Sequence, residues 1–385
     1  MSSEWQKNWI VCLSTFPPRQ CGIATFTVDL TNTIDQMFGP SVESKIIAMN
    51  LTEVSHFPYP DKVILQISQP IEKDYVNAAY KLNQIDEVKL VNIQHEFGIF
   101  GGQNGAHLLL FLEKLRKPVV TTLHTVLPAP DQRMRNIVQT IMKYSKGIIV
   151  MTHSSKEILV KDYGLDPDRI RVIPHGIHNV PYRTSEYAKS ALGLSDKLVL
   201  STFGLLNPGK GIEYVIESLP KVVKKFPNVR FLIIGVTHPV VLERMGENYR
   251  NFLIKKVYEQ DLSDYVSFYN TYLNLNDLLR FLEATDVYLS PSLNPNQTVS
   301  GTLSYALGSG RPVISTSFAQ AKQDITDEVG ILIDFKNPQA FTDALIKLLG
   351  NDRLRLQMGK NAYFRTRHMT WENVALSYLK YFSQF

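Results

Sequence analysis

Lys197-Leu-Val-Leu-Ser-Thr-Phe-Gly-Leu-Leu-Asn-Pro-Gly-Lys-Gly-Ile-Glu213 holds a strand, a loop and a helix start in one short stretch. Residues 197–203 are a short apolar run of the kind a parallel strand buried on both faces requires. Residues 204–211 are Gly, Pro and Asn rich, the composition of a turn. From Ile212 the apolar residues fall at 212, 215, 216, 219 and 222, one face of an amphipathic helix. A strand that leads through a tight loop into a helix is the repeating unit of a parallel α/β sheet. The same loop sets backbone N–H groups and the positive end of a helix dipole beside Lys210, which suits a phosphate. It suits equally well a plain strand-to-helix turn that carries a solvated lysine.

The pattern extends in both directions. In the first half, apolar runs at 9–14, 45–49, 63–66, 90–94, 118–123, 147–151 and 169–174 predict seven strands. Helical patterns fall between them, among others at 24–36, 103–115, 130–143 and 154–163. The second half predicts strands at 197–203, 230–235, 265–269, 286–290, 311–315 and 330–333. Its helices are expected at 211–225, 240–259, 276–282, 302–307, 338–348 and 353–366. The fold class is therefore α/β, with two Rossmann-like, doubly wound parallel-sheet domains. Two such sheets facing one another make a cleft, with ligands beyond the carboxyl ends of the strands. The expected boundaries are residues 1–180 for the first domain and 181–368 for the second, with a linker near 174–184.

Size and composition agree. A chain of 385 residues exceeds what one core usually holds. Hydrophobic content of 44% with 20% charged residues is that of an ordinary globular protein. The stretch Met1-Ser-Ser-Glu-Trp-Gln-Lys7 lacks the apolar core of a signal peptide, and no apolar run reaches the ~20 residues of a spanning helix. Cys12 and Cys21 offer no disulfide framework, which fits a reducing compartment; the expected location is cytoplasmic. A net charge of +5 is too mild for a nucleic-acid binder but suits anionic ligands. The basic clusters at 114–117 and 221–225 read as solvated faces, with a weak peripheral membrane contact as the secondary reading.

Polar residues gather where this architecture puts its chemistry. His95, Glu96, Gly101 and Gly102 follow one expected strand, His124 another and His153 a third, and His175 lies past the last. A single histidine of this kind is more often structural; several at one sheet edge point to a site. In the second half Ser300, Gly301 and Thr302 stand at a predicted helix start, a second place for an anion. Asp166-Pro-Asp168 has metal-binding spacing but precedes a strand, so it reads as a turn. No histidine has zinc-site spacing, and neither a metal nor another cofactor is expected.

Taken in order, these segments resemble the retaining glycosyltransferases of family 4, which have the GT-B fold. The likeness rests on the glycine turn at Gly22, Thr122-Leu-His-Thr125 and Arg171-Val-Ile-Pro-His-Gly176. It continues through Phe203-Gly204, Lys210-Gly211, residues 286–292, Gly310-Arg-Pro-Val-Ile-Ser315 and Met369-Thr-Trp-Glu-Asn-Val-Ala375. It implies transfer of a hexosyl group from a nucleotide-sugar donor to a carbohydrate or other hydroxyl acceptor. It implies catalytic roles for His124, Lys210 and Gln297. It implies donor or phosphate contacts from Gly22, Gly204, Asn207, Gly209, Lys210, Ser300, Gly301, Thr302 and Tyr305. His95, Glu96, Gly101, Gly102, His153 and His175 fall on the acceptor side. It further implies that residues 369–385 cross back onto the first domain.

Three positions depart from the family pattern. Leu205 stands where an arginine usually helps neutralise the diphosphate, and Gln297 and Tyr305 stand where the family carries two glutamates. Gln297 retains an amide able to hydrogen-bond a sugar hydroxyl, whereas Tyr305 cannot replace a bidentate ribose contact. These losses leave two rivals: a phosphorylase using a sugar 1-phosphate on the same fold, and a catalytically inactive sugar- or nucleotide-binding module.

Overall fold

The computed structural model describes residues 8–52 and 57–385. The N-terminal segment 1–7, read above for a signal peptide, lies outside them. The chain divides into two compact units. One runs to Gly176 and takes up Met369–Phe385 again; the other is Ile177–His368.

The first unit holds a seven-stranded sheet. Its strands are β1 (Asn8–Ser14), β2 (Val42–Asn50), β3 (Val63–Ser68), β4 (Val88–His95), β5 (Val119–Leu123), β6 (Gly147–Val150) and β7 (Ile170–Val172). They lie in the order β3-β2-β1-β4-β5-β6-β7, and every neighbouring pair is parallel. The second unit holds β8 (Leu198–Phe203), β9 (Val229–Ile234), β10 (Val266–Tyr269), β11 (Val287–Ser290), β12 (Val313–Thr316) and β13 (Gly330–Ile333). Its order is β10-β9-β8-β11-β12-β13, again all parallel. In each sheet the winding reverses once, between β1 and β4 and between β8 and β11. Loops that leave those strands in opposite directions open a crevice at their carboxyl ends.

The central strands of each sheet are buried on both faces. Val11, Leu13, Val91, Ile93 and Ile148 anchor the first core; Leu200, Phe231, Ile233, Leu289 and Ile314 anchor the second. This is why most strands read as apolar runs; β4 differs, with buried Asn92 and Gln94 set between apolar residues.

Two expected helices are broken. Residues 240–259 form Pro239–Met245 and Asn248–Glu259, parted at Gly246, whose φ of +60° favours glycine. Residues 103–115 form a short 3₁₀ turn, Gln103–Gly105, and a helix, Leu108–Lys114. Asn104 and Gly105, at φ +55° and +78°, interrupt the helical backbone.

The terminal helix Trp371–Phe382 packs within the first unit, against the helix Gly22–Phe38. Trp371 meets Phe26 edge to face, with ring centroids 5.0 Å apart. Tyr378 is fully buried, and its hydroxyl lies 3.2 Å from Thr122 Oγ1 of β5. Glycines make room for it: a Cβ on Gly176 would lie 2.2 Å from the Trp371 ring, and one on Gly147 would lie 1.9 Å from Tyr381 Oη.

Candidate functional site

In the second unit the reversal between β8 and β11 brings Gly204, Lys210 and Thr302 together. Gly204 follows β8 with φ +127°, a conformation other residues rarely adopt. A Cβ there would sit 3.2 Å from Lys210 Nζ and 3.4 Å from Thr302 Cγ2, so the missing side chain leaves both groups uncovered. Among the described residues the Lys210 ammonium has no hydrogen-bond or ion-pair partner, and burial lowers its pKa. A half-buried cation without a partner is costly unless a ligand supplies the negative charge.

The expected cradle of free amides at 209–211 is corrected by the hydrogen bonds. Gly209 N donates to Asn207 Oδ1 (2.9 Å), Lys210 N to Asn207 O (3.0 Å) and Gly211 N to Pro208 O (3.4 Å). Ile212 N, the first amide of the helix Ile212–Lys225, donates to Tyr249 Oη (3.2 Å). This loop therefore offers a side-chain charge and no backbone donor from 209–212. Asn207 shapes it, since its Nδ2 also donates to Leu205 O (3.2 Å).

The other helix start keeps its donors. Ser300 caps the helix Gly301–Gly308, with Oγ accepting from Leu303 N (3.4 Å), while Ser300 N is bound by Gln320 Oε1. The amides of Gly301 and Thr302 have no partner among the described residues. Two free N–H groups and the positive end of a helix dipole thus stand beside an unpaired ammonium.

Gln297 is engaged within its own loop: Oε1 accepts from Ser292 Oγ (2.6 Å) and Nε2 donates to Val299 O (3.1 Å). Tyr305 is buried, its ring tilted against His178 at 5.3 Å. Sequence reasoning passed over Arg250. It is buried, donates from Nη2 to Gly235 O (2.7 Å) and from Nε to Glu247 Oε2 (3.1 Å), with which it forms an ion pair, and leaves Nη1 unpartnered. Gly235, at φ +136°, lies against Gly204: a Cβ on it would be 2.0 Å from Gly204 O. Arg250 thus puts a guanidinium behind the glycine pair, in a chain that lacks the arginine after Gly204. Its place inside an ordinary amphipathic helix gave no signal.

In the first unit, β4 and β5 bring His95, Glu96 and His124 together. His124 N donates to His95 O (3.0 Å), and its ring packs edge-on against Phe26 at 4.8 Å. Its Nε2 lies 2.7 Å from Gln94 Oε1. Burial, with His175 and His95 adding to it, pushes the His124 pKa down to about 3, so the ring is neutral. His95 is fully buried between Phe97 and Phe100 with neither ring nitrogen partnered, and burial lowers its pKa to about 4. Burial raises the Glu96 pKa, although the carboxylate accepts from Thr125 Oγ1 and Phe97 N.

The remaining positions differ in kind. Gly101 and Gly102 give no open backbone to a ligand. A Cβ on Gly101 would meet Gln69 O at 1.9 Å, and one on Gly102 the His107 ring at 2.6 Å. Gly22 begins its helix with open space where a Cβ would stand. His153 is exposed at the start of the helix His153–Tyr163, and His175 stacks edge-on near Phe26 at 5.3 Å. Asp166 Oδ1 accepts from Asp168 N (3.0 Å) inside a 3₁₀ turn. Among the described residues no cluster of three His, Cys, Asp or Glu has the arrangement for a metal ion, and no helix is long and apolar enough to cross a membrane.

The sequence pattern of Glycosyl transferases group 1 matches residues 185–365, and that of Glycosyltransferase Family 4 matches residues 56–179. The chain belongs to the family 4 glycosyltransferases and has the GT-B fold. It is 26% identical over 289 residues to a D-inositol 3-phosphate glycosyltransferase of Corynebacterium efficiens, covering 70% of this chain and 66% of that protein. The match thus spans just under two thirds of that relative's length. Anabaena HepE in complex with UDP superposes with a TM-score of 0.75 at 14% identity, covering 98% of this chain and 100% of that one. Sucrose-phosphate synthase from Thermosynechococcus elongatus gives 0.78 at 17%, covering 98% and 99%.

Proposed function

We propose that the protein moves a hexosyl group from a nucleoside-diphosphate sugar to a hydroxyl acceptor with retention at the anomeric carbon. The observation that carries this reading is the unpartnered Lys210 ammonium, which shares the Gly204 opening with the free amides of Gly301 and Thr302. A dianionic leaving group needs that combination: a mobile positive charge and fixed donors that need no reorganisation during bond cleavage. Structural relatives solved with UDP and with UDP-glucose support a nucleotide donor over a bare sugar phosphate.

In this reading the bond between C1 and the β-phosphate oxygen breaks, and its electron pair stays on that oxygen. The acceptor oxygen bonds to C1 from the same face, and its proton passes to the departing phosphate. No strong protein base is required. Lys210 and the Gly301–Gly308 helix start stabilise the charge that develops on the phosphate. His124, neutral at the carboxyl end of β5, orients a sugar hydroxyl. Glu96, His153 and His175 are the side chains assigned to the acceptor, since His95 is closed in between Phe97 and Phe100. The name of the curated relatives supports a polyol as acceptor.

Titration of the purified protein with UDP, GDP, ADP and inorganic phosphate tests this. Tight binding of one nucleoside diphosphate, with transfer from its sugar, is expected. Phosphate-dependent turnover without nucleotide binding would overturn it.

A further inference from the structure

Beneath His124 runs a ladder of buried polar side chains that the transfer reaction does not itself require. Asn92 and Gln94 alternate with Val91 and Ile93 on β4. All of Asn92, Gln94 and Thr122 are fully buried. Three amide or hydroxyl groups inside a parallel sheet are costly unless each is satisfied, and here each is.

The hydrogen bonds fix the direction of each donor from Asn92 to His124. Val120 O is a carbonyl and only accepts, so the Asn92 atom 2.9 Å from it is the amide nitrogen. The second proton of that nitrogen goes to Thr122 Oγ1 at 3.2 Å. Asn92 Oδ1 therefore accepts, and its partner on Gln94 is the amide nitrogen. Gln94 then presents Oε1 to His124 Nε2 at 2.7 Å. An amide oxygen cannot donate, so His124 Nε2 carries the proton and Nδ1 carries the lone pair. At the far end, Tyr378 of the terminal helix holds Thr122 through their hydroxyls, 3.2 Å apart.

We propose that Asn92 and Gln94 are positioning residues that lock His124 as the Nε2–H tautomer and so make its Nδ1 an obligatory hydrogen-bond acceptor. His124 Nδ1 has no partner among the described residues. The ligand group it takes is a donor, a hydroxyl. That this hydroxyl belongs to the transferred sugar rests on the proposed function; the tautomer does not. Burial keeps the ring neutral, so it does not escape the lock by gaining a second proton.

The test is long-range ¹H–¹⁵N correlation on protein labelled with ¹⁵N-histidine, at neutral pH and without donor. His124 is assigned by difference against His124→Gln and, independently, by its contact with Phe26 in a nuclear Overhauser spectrum. The wild-type ring is expected to show protonated Nε2 and bare Nδ1. Gln94→Met keeps the volume and removes the acceptor, which leaves a buried N–H orphaned. That penalty of roughly 1–3 kcal/mol shifts the ratio of the two tautomers about 5- to 150-fold towards Nδ1–H. Protonated Nδ1 in the wild type, or an unchanged ratio in Gln94→Met, overturns the proposal. Wild-type turnover with nucleotide sugars is measured separately. Its absence with the tautomer as stated would count against the transferase reading alone.

Discussion

Lys210→Met is the most informative single substitution, because the structure predicts opposite signs for binding and stability. The methionine keeps most of the apolar stem and removes the ammonium. In the free protein that ammonium has no partner, and burial lowers its pKa. Removing it leaves no partner stranded and relieves a desolvation cost. The melting temperature should therefore hold or rise. In the proposed complex the ammonium would make a charge-assisted contact to the diphosphate, worth about 1.5–3 kcal/mol. Nucleoside diphosphate affinity should therefore fall about 10- to 150-fold. The pH dependence adds a sign check. A lysine whose folded pKa lies below its unfolded value binds fewer protons folded than unfolded between the two values. Wild-type stability without ligand should rise with pH through that window, up to about 10.4, and the mutant should lack this increment. Isothermal titration at fixed ionic strength and thermal melts at several pH values read both quantities. Unchanged affinity, or a loss of stability in the free mutant, would refute the assignment of Lys210 to the phosphate.

Other outcomes follow from the same geometry. His95 and His124, with pKa values lowered to about 4 and about 3, are neutral when folded but protonate below about pH 6.5 once unfolded. Stability should fall as pH drops from 6.5 towards 4, by about 1.4 kcal/mol per pH unit for each residue. His95→Phe should flatten the slope by one such share in acid melts, and an unchanged slope would show that His95 is not held neutral. Gly147→Ala places a Cβ 1.9 Å from Tyr381 Oη and should lower the melting temperature, partly restored by Tyr381→Leu. No rescue would mean that the terminal helix is not held at that contact. Gln297→Glu turns a donor towards Val299 O into a carboxylate oxygen and should slow transfer by disturbing the 292–299 loop. A faster enzyme would indicate direct contact with the donor sugar instead.

Much of this fold was legible because parallel strands buried on both faces are mostly apolar, and every apolar run named in the sequence overlaps a strand. The helix Trp371–Phe382 was legible for the related reason that Trp371, Val374, Ala375, Tyr378, Leu379 and Phe382 share one face; all are buried except Leu379, which is half-buried. What escaped was local geometry. Periodicity continues smoothly across Gly246 and Asn104, where positive φ breaks the helices. The helix Ala319–Asp324 is too short to show a period. The site was legible at the level of loops but not of donors. Nothing in Gly209-Lys210-Gly211 announces that Asn207, Pro208 and Tyr249 consume the neighbouring amides. Nothing in the 248–259 pattern marks Arg250 as the guanidinium behind Gly235. The Asn92–Gln94 pair escaped as well, because it lies inside a run read as an apolar strand and its partners Val120 and Thr122 come from the neighbouring strand.

The central claim is that the Gly204 opening holds the donor diphosphate. Its most direct test is a crystal structure of the protein with whichever of UDP, GDP or ADP titrates most tightly. The account predicts phosphate oxygens within hydrogen-bond distance, about 2.7–3.2 Å, of Lys210 Nζ and of the Gly301 and Thr302 amides. A diphosphate bound elsewhere, with Lys210 still unpaired, would contradict it.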